Sequence, residues 1–257
     1  MNKQNQTHVI NYLKKGVRYD GRKLDQYREI EVEAGNLPSA EGSARVKMGD
    51  TEVLCGIKFE VGKPYPDSPD AGTMMVNSEL IPMSNPDFES GPPSIDSIEL
   101  SRVVDRGIRE SGAIDFKKLC IKEGEQVWTV IVDVVPINDA GNLFDAASLA
   151  VMTAVKNAKF PELVGEKINY KKKTNQGLPI NAEPVSVTVL KIGDHLLVDP
   201  IKDEQLVIDA RLTVAFTKDN TICAMQKGGD SPLSIKEIEQ IIDLATKKAK
   251  ELRKYLG

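Results

Sequence analysis

Histidine is almost missing from this chain: His8 and His195 are the two. Neither stands near a second metal-ligand pattern, so a zinc site is not expected, and a Ser-His-Asp hydrolase would lack its placed base. Cysteine is scarce too. Cys55, Cys120 and Cys223 show no CxxC spacing, which fits buried reduced thiols better than a disulfide framework or a metal knuckle. Positive charge is not in excess: 34 basic against 38 acidic residues give a net charge of −4. A free-standing nucleic-acid binder is usually basic overall, so any such contact has to come from a local patch, beside a partner. No apolar run approaches the about 20 residues of a membrane span, and the N-terminus is polar rather than signal-like. A cytoplasmic protein with no membrane partner, no resident metal and no cofactor is expected.

What is present is an ordinary globular composition, 40% hydrophobic and 28% charged, over 257 residues. That length holds one large or two modest domains. The chain is organised around Gly91 to Ala113, GPPSIDSIELSRVVDRGIRESGA. Gly-Pro-Pro stops what precedes it, Ser94 stands as a helix N-cap, and Asp96 falls in the first turn. Leu100, Val103, Val104 and Ile108 gather on one face, with Gly107 among them, where a missing side chain would permit close packing. Arg102, Arg106 and Arg109 form a stripe on the opposite side. Glu99 can reach Arg102, Asp105 can reach Arg109, and Arg106 has Glu110 four residues on. Two readings stand: a solvated, salt-bridged helix face, or an anion-binding ridge whose planar forks suit phosphate.

Elsewhere the pattern alternates between strands and turns. Thr7 to Lys15 reads as a short helix stopped by Gly16. Arg18-Tyr19-Asp20-Gly21-Arg22 is a turn flanked by arginines. Ile30 and Val32, then Ala44, Val46 and Met48, then Val53 to Val61 predict a meander with its turn at Gly49-Asp50. Lys63 to Gly72 is a proline-rich loop, and Met74 to Met83 is apolar enough for a strand. Asp115 to Leu119 reads as a helical turn. Glu125 to Pro136 holds VWTVIVDVV, the run of a central strand covered on both faces. Asn138 to Asn142 is a turn feeding the small-residue helix Leu143 to Ala158, either an anion site or an ordinary core helix.

Phe160 to Ala182 shifts composition, with Lys167, Lys171, Lys172 and Lys173 and little periodicity. It reads as a connector between two lobes, whose lysines either meet nucleic acid or are simply solvated. The second lobe repeats strand, Gly-Asp turn and strand through Val185 to Val198, a weak hint of duplication. Gln205 to Phe216 and Ile222 to Met225 read as further strands. Ser234 and Glu237 form a capping box for a last helix running on to Leu256, with Ile241, Ala245, Ala249 and Leu252 at core spacing. The domain reading is an N-terminal helix and arm over 1–27, a first domain over 28–160, a connector over 161–182 and a second domain over 183–257.

Four stretches, in order, now resemble one family. RYDGR, GSARVKMGDTEVLCGIK, SIELSRVVDRGIRES and LVDPIKDEQLVIDARLTVAF together look like the RNase PH family, and the likeness covers nearly the whole chain. The details look most like the non-catalytic RNase PH-type subunit of the archaeal exosome. The resemblance implies an α/β (α+β) protein: a two-lobed RNase PH-type fold with mixed β-sheets packed against helices. The family reaction is phosphorolysis, in which inorganic phosphate attacks the 3′ end of RNA and releases a nucleoside diphosphate. Its site must hold phosphate, bind the RNA backbone with arginines and supply carboxylates for acid/base work or for a divalent ion.

This chain departs from the family pattern where that chemistry should occur. A Gly-Thr-Arg-like loop holds phosphate in active members; here it reads Gly141-Asn142-Leu143, so an apolar side chain replaces the guanidinium. Two aspartates of the later strand align with Gln205 and Arg211, neither of which is a general base near neutral pH. Asp199, Asp203, Glu204 and Asp209 remain nearby, so register decides. The resemblance therefore implies a catalytically silent subunit. Its partners would be the catalytic RNase PH-type subunit in a hetero-hexameric ring (a trimer of dimers), RNA-binding cap subunits and single-stranded RNA. Arg102 and Arg106, and with them Arg109, would hold RNA at the partner's site. Two alternatives are an active phosphorolytic exoribonuclease with an unusual site, which would trim RNA alone, and a stand-alone RNA-binding scaffold, which would ignore a catalytic partner.

Overall fold

Alternating apolar residues build a first sheet around one long strand. The computed structural model describes residues 3–165 and 167–257. Met1, Asn2 and Glu166, which fall within the arm and the connector read from sequence, lie outside the described residues. Helix α1 (Lys3–Leu13) buries Val9 and Leu13 against Leu190, Ile192 and Leu197 in a small core of its own. Strands β1 (Ile30–Ala34), β2 (Gly42–Met48) and β3 (Thr51–Gly62) make the antiparallel meander, turning at Gly49 with φ 56°. Strand β4 (Thr73–Ser78) is shorter than its apolar run, and β5 (Cys120–Lys122) pairs with the edge of β6 (Gln126–Asn138). The sheet order is β1-β2-β3-β6-β4, with β4 parallel to β6.

Strand β6 is central, but it is not covered on both faces. Val130, Val132 and Val134 are fully buried, whereas Ile131, Asp133 and Val135 are only half-buried. Helix α2 (Ile95–Glu110) packs on β4, and α3 (Leu143–Asn157) packs on β2 and β3. The alternating burial along β6 places that cover on one side of the sheet. Ser94 caps α2 as its sequence position predicts, its Oγ accepting from the Ser97 amide at 3.2 Å.

The second sheet runs β10 (His195–Val198), β9 (Val185–Ile192), β11 (Ala210–Phe216) and β12 (Ile222–Gly228), antiparallel throughout. Helix α3 touches β9 as well as the first sheet, and it is buried from Asp145 to Val155. It is therefore the spine between lobes, and one hydrophobic core runs through both. The strand read from Gln205 onward begins only at Ala210, and Gln205 instead ends a one-turn helix, α4 (Lys202–Gln205). The last helix, α5 (Ile235–Leu252), carries the expected capping box, with the Ser234 amide donating to Glu237 Oε2 at 2.8 Å.

The lysine-rich stretch is not a featureless connector. Strands β7 (Lys159–Val164) and β8 (Lys167–Gly177) form an antiparallel hairpin. Its ladder is interrupted: Pro161 pairs with Lys173 but Glu162 pairs with Asn169, so Tyr170, Lys171 and Lys172 are extruded. That bulge removes the alternation by which a strand is recognised.

Candidate functional site

The arginines of the RYDGR turn do not face solvent. Arg18 is 1% exposed and forms a two-pronged ion pair with Glu204, Nε to Oε1 at 2.8 Å and Nη2 to Oε2 at 2.5 Å. Its remaining donors reach the carbonyls of Val198 and Asp199. Arg22 and Arg28 both converge on the Asp199 carboxylate, each with a contact of 2.7 Å. Asp199 sits at φ 47° and is fully buried. Burial alone would raise its pKa; the hydrogen bond and charge of Arg28, helped by Arg22, outweigh this and hold the carboxyl below the usual range. These residues fix the loop after β10 against the N-terminal arm.

That loop closes the start of α3. Asn142, at φ 62°, donates through its side-chain amide to Asp145 Oδ2 and Asp199 Oδ1, both at 3.1 Å. Tyr27 donates its hydroxyl to Asp145 Oδ2 at 2.9 Å. Burial pushes the Asp145 carboxyl up to about 7, in spite of the hydrogen-bonding side chains around it. Gly141, at φ 100°, lies so close beneath the loop that an added Cβ would stand 2.3 Å from the Pro200 carbonyl oxygen. Two carboxylates thus lie where a helix N-terminus would attract an anion. Of the two readings of this turn, the geometry supports a core helix whose start is closed by the chain's own carboxylates.

Leu143, Gln205 and Arg211, taken from three different elements, line one pocket of about 320 Å³. Arg211 is ion-paired with Glu99 of α2, and its guanidinium carbon lies 4.4 Å from the centre of the Phe144 ring. Lys202 is paired with Asp139 at 2.6 Å. Asp96 adds a further carboxylate to the lining, and Leu80 and Leu206 add apolar wall. Both cations of the pocket are therefore neutralised from within the chain. An incoming phosphate would meet a leucine and a net acidic lining in place of a free guanidinium. Among the described residues no group of three or more His, Cys, Asp or Glu is placed to hold a metal ion.

The arginine face divides. Arg102 and Arg106 are exposed. Glu99 turns to Arg211 rather than to Arg102, and Arg106 reaches Gln226 Oε1 of β12 at 3.5 Å rather than Glu110. Ile98, Arg102, Val103, Arg106 and Gln226 line a shallow groove there. Arg109 is tied down instead. It pairs with Asp105 at 2.8 Å, donates to the Met74 carbonyl at 2.9 Å and lies 5.5 Å from the centre of the Phe116 ring. Gly107 is buried as expected, but its neighbours leave room: an added Cβ would stand 3.4 Å from Ser186 Oγ. The buried hub at Asp199 carried no signal in the sequence beyond the arginines flanking Asp-Gly. No helix among the described residues is long and apolar enough to cross a membrane.

The chain is similar to known proteins along nearly its whole length. The exosome complex component Rrp42 of Methanopyrus kandleri is 47% identical over 96% of this chain and 93% of its own. The component of that name from Archaeoglobus fulgidus is 46% identical over 96% and 93%. A chain of the Archaeoglobus fulgidus exosome with RNA bound to the active site superposes with a TM-score of 0.91 at 44% identity, covering 99% of this chain and 98% of that one. A chain of an archaeal exosome core gives 0.88 at 41% identity, covering 99% and 96%. Residues 26–161 match domain 1 of the 3′ exoribonuclease (RNase PH) family and residues 182–248 match its domain 2, and with both domains present in order the chain belongs to that family.

Proposed function

We propose that this chain is a non-catalytic subunit of an archaeal-type RNA exosome core. It completes a hexameric ring with a catalytic RNase PH-type subunit, beneath RNA-binding cap subunits, in the cytoplasm. The observation that carries the reading is the pocket of Leu143, Gln205 and Arg211. Arg211 is bound to Glu99 there, and the phosphate-holding guanidinium of active members has no counterpart at Leu143. The pocket's two cations, Arg211 and Lys202, are paired with Glu99 and Asp139, so neither stands free to hold phosphate.

The positive role falls to Arg102 and Arg106. They are exposed and free of carboxylate partners among the described residues, so their forks remain available to phosphates of an RNA strand at the partner's site. Arg109 belongs to the same ridge, but its internal contacts leave it a smaller share. Phosphate-dependent trimming of single-stranded RNA tests the reading. The purified chain alone releases no nucleoside diphosphate, the chain mixed with a catalytic partner does, and Arg102→Ala/Arg106→Ala sharply reduces release by the mixture. Robust trimming by the lone chain, free of contaminating nuclease, overturns it.

A further inference from the structure

The extruded segment of the β7–β8 hairpin lies apart from both the pocket and the arginine ridge. Residues 159–177 carry five lysines against two glutamates, in a chain whose net charge is −4. This small ribbon is thus locally basic, with a net charge of +3. Some of it is spent internally: Lys172 pairs with Glu162, and Lys173 donates to the carbonyls of Pro38 and Ala40. Lys167 and Lys171 are exposed, and among the described residues nothing holds their ammonium groups. Asn169 accepts from the Lys171 amide at 3.2 Å, which fixes the turn of the bulge.

Tyr170 anchors the bulge to the first sheet. Its hydroxyl donates to the Phe59 carbonyl at 3.1 Å, and Lys58 stands 4.7 Å from the centre of its ring. The bulge is therefore a held shape with 47% of Tyr170 still exposed. Lysine on a ribbon edge can also serve to deter strand pairing. Here the extrusion itself already breaks the edge, so that service does not account for Lys171 within it; Lys167 stands in the ladder opposite Val164, at the tip of the hairpin.

We propose that this hairpin is a second, sequence-independent contact surface for single-stranded RNA, with Lys167 and Lys171 meeting backbone phosphates and the exposed part of Tyr170 lying beside the strand. The inference takes its ligand from the exosome reading above; the surface itself is argued from charge and geometry.

The test is equilibrium binding of a fluorescent single-stranded RNA to the complex of this chain with its catalytic partner, read between roughly 50 and 200 mM salt. Lys167→Ala/Lys171→Ala should weaken binding roughly five- to tenfold at the low end. It should also make the slope of log K against log salt shallower by about 1.4, at about 0.7 for each lost phosphate contact. Lys167→Arg/Lys171→Arg should keep both values, and neither variant should shift the melting temperature. Unchanged affinity and slope overturn the proposal. So does a variant that binds RNA normally but assembles poorly with the partner, which makes the hairpin a protein-docking edge. Trimming by the lone chain is scored separately: it would fail the exosome reading and leave the slope of this chain's own RNA binding as the measure of the hairpin.

Discussion

Arg18 and Glu204 lie 186 residues apart and meet as a fully buried, two-pronged ion pair. Glu204 also accepts from the Ile201 amide at 3.0 Å, so its carboxylate organises the turn that leads into the pocket. A buried pair gains little over apolar replacements, but breaking it leaves a bare charge. Arg18→Met should lower unfolding free energy by about 3–5 kcal/mol. Arg18→Met/Glu204→Met should recover much of that loss. Urea denaturation of the three proteins measures the difference, and equal losses in the single and double variants would contradict the pairing.

Asp145 gives stability a pH dependence of known sign. Its carboxyl in the folded chain is raised to about 7 by burial, above the unfolded value of about 3.9. The folded state therefore holds a proton that the unfolded state has lost between those values, and stability from this group declines as pH rises from about 4 to about 7. Asp199 runs the other way: its lowered carboxyl favours the fold at neutral pH and loses that contribution only in acid. Asp145→Asn keeps an acceptor for Tyr27 and Asn142 and turns an amide toward Thr188. Melting temperatures from pH 4 to 8 should show the variant matching the parent near pH 4 and exceeding it above pH 7. A parallel shift at every pH would mean that Asp145 does not titrate in this window.

Much of this architecture can be read from residues alone. The alternation along Ala44 to Val61 and along Val185 to Val198 gives β2, β3, β9 and β10, because one buried face imposes a period of two. The capping residues Ser94 and Ser234 mark helix starts through bonds three residues long. What escapes the sequence is non-local or too short. The β7–β8 ladder is broken by its bulge, and α4 has four residues, less than any periodicity needs. Glu99 could pair with Arg102 on its own helix, yet a better-buried guanidinium arrives from β11. Family resemblance alone singles out Leu143, Gln205 and Arg211; that they share a pocket is a fact of the tertiary fold.

Two glycines separate close approach from mere burial. An added Cβ at Gly42 would stand 2.6 Å from the Ala154 carbonyl oxygen and from Ala158 Cβ, which are parts of α3 and its C-terminus with no room to retreat. At Gly107 the same atom meets Ser186 Oγ at 3.4 Å and Ala215 Cβ at 3.7 Å, ordinary contact distances. Gly107→Ala should then stabilise the chain by about 0.5–1 kcal/mol, since alanine restrains the unfolded helix segment. Gly42→Ala should destabilise it by about 1–3 kcal/mol through overpacking. Paired denaturation curves decide, and a destabilised Gly107→Ala would restore the close-packing role that its position on the buried helix face suggests.

Arg102 and Arg109 share a helix face but should fail in different assays. Arg109 holds Asp105, the Met74 carbonyl and the Phe116 ring, so its truncation removes a half-exposed ion pair together with a hydrogen bond between helix and strand. Arg109→Ala should cost about 1 kcal/mol of stability. Arg102 is exposed and unpaired among the described residues, and Arg102→Ala should leave the melting curve unchanged. In the assembled complex the order reverses. Loss of Arg102 should make the salt dependence of RNA binding shallower by about 0.7, one phosphate contact on a single strand, whereas Arg109→Ala should change it less. If Arg109→Ala instead flattens the salt dependence with no loss of stability, its internal contacts give way when RNA binds, and the ridge acts as three arginines rather than two.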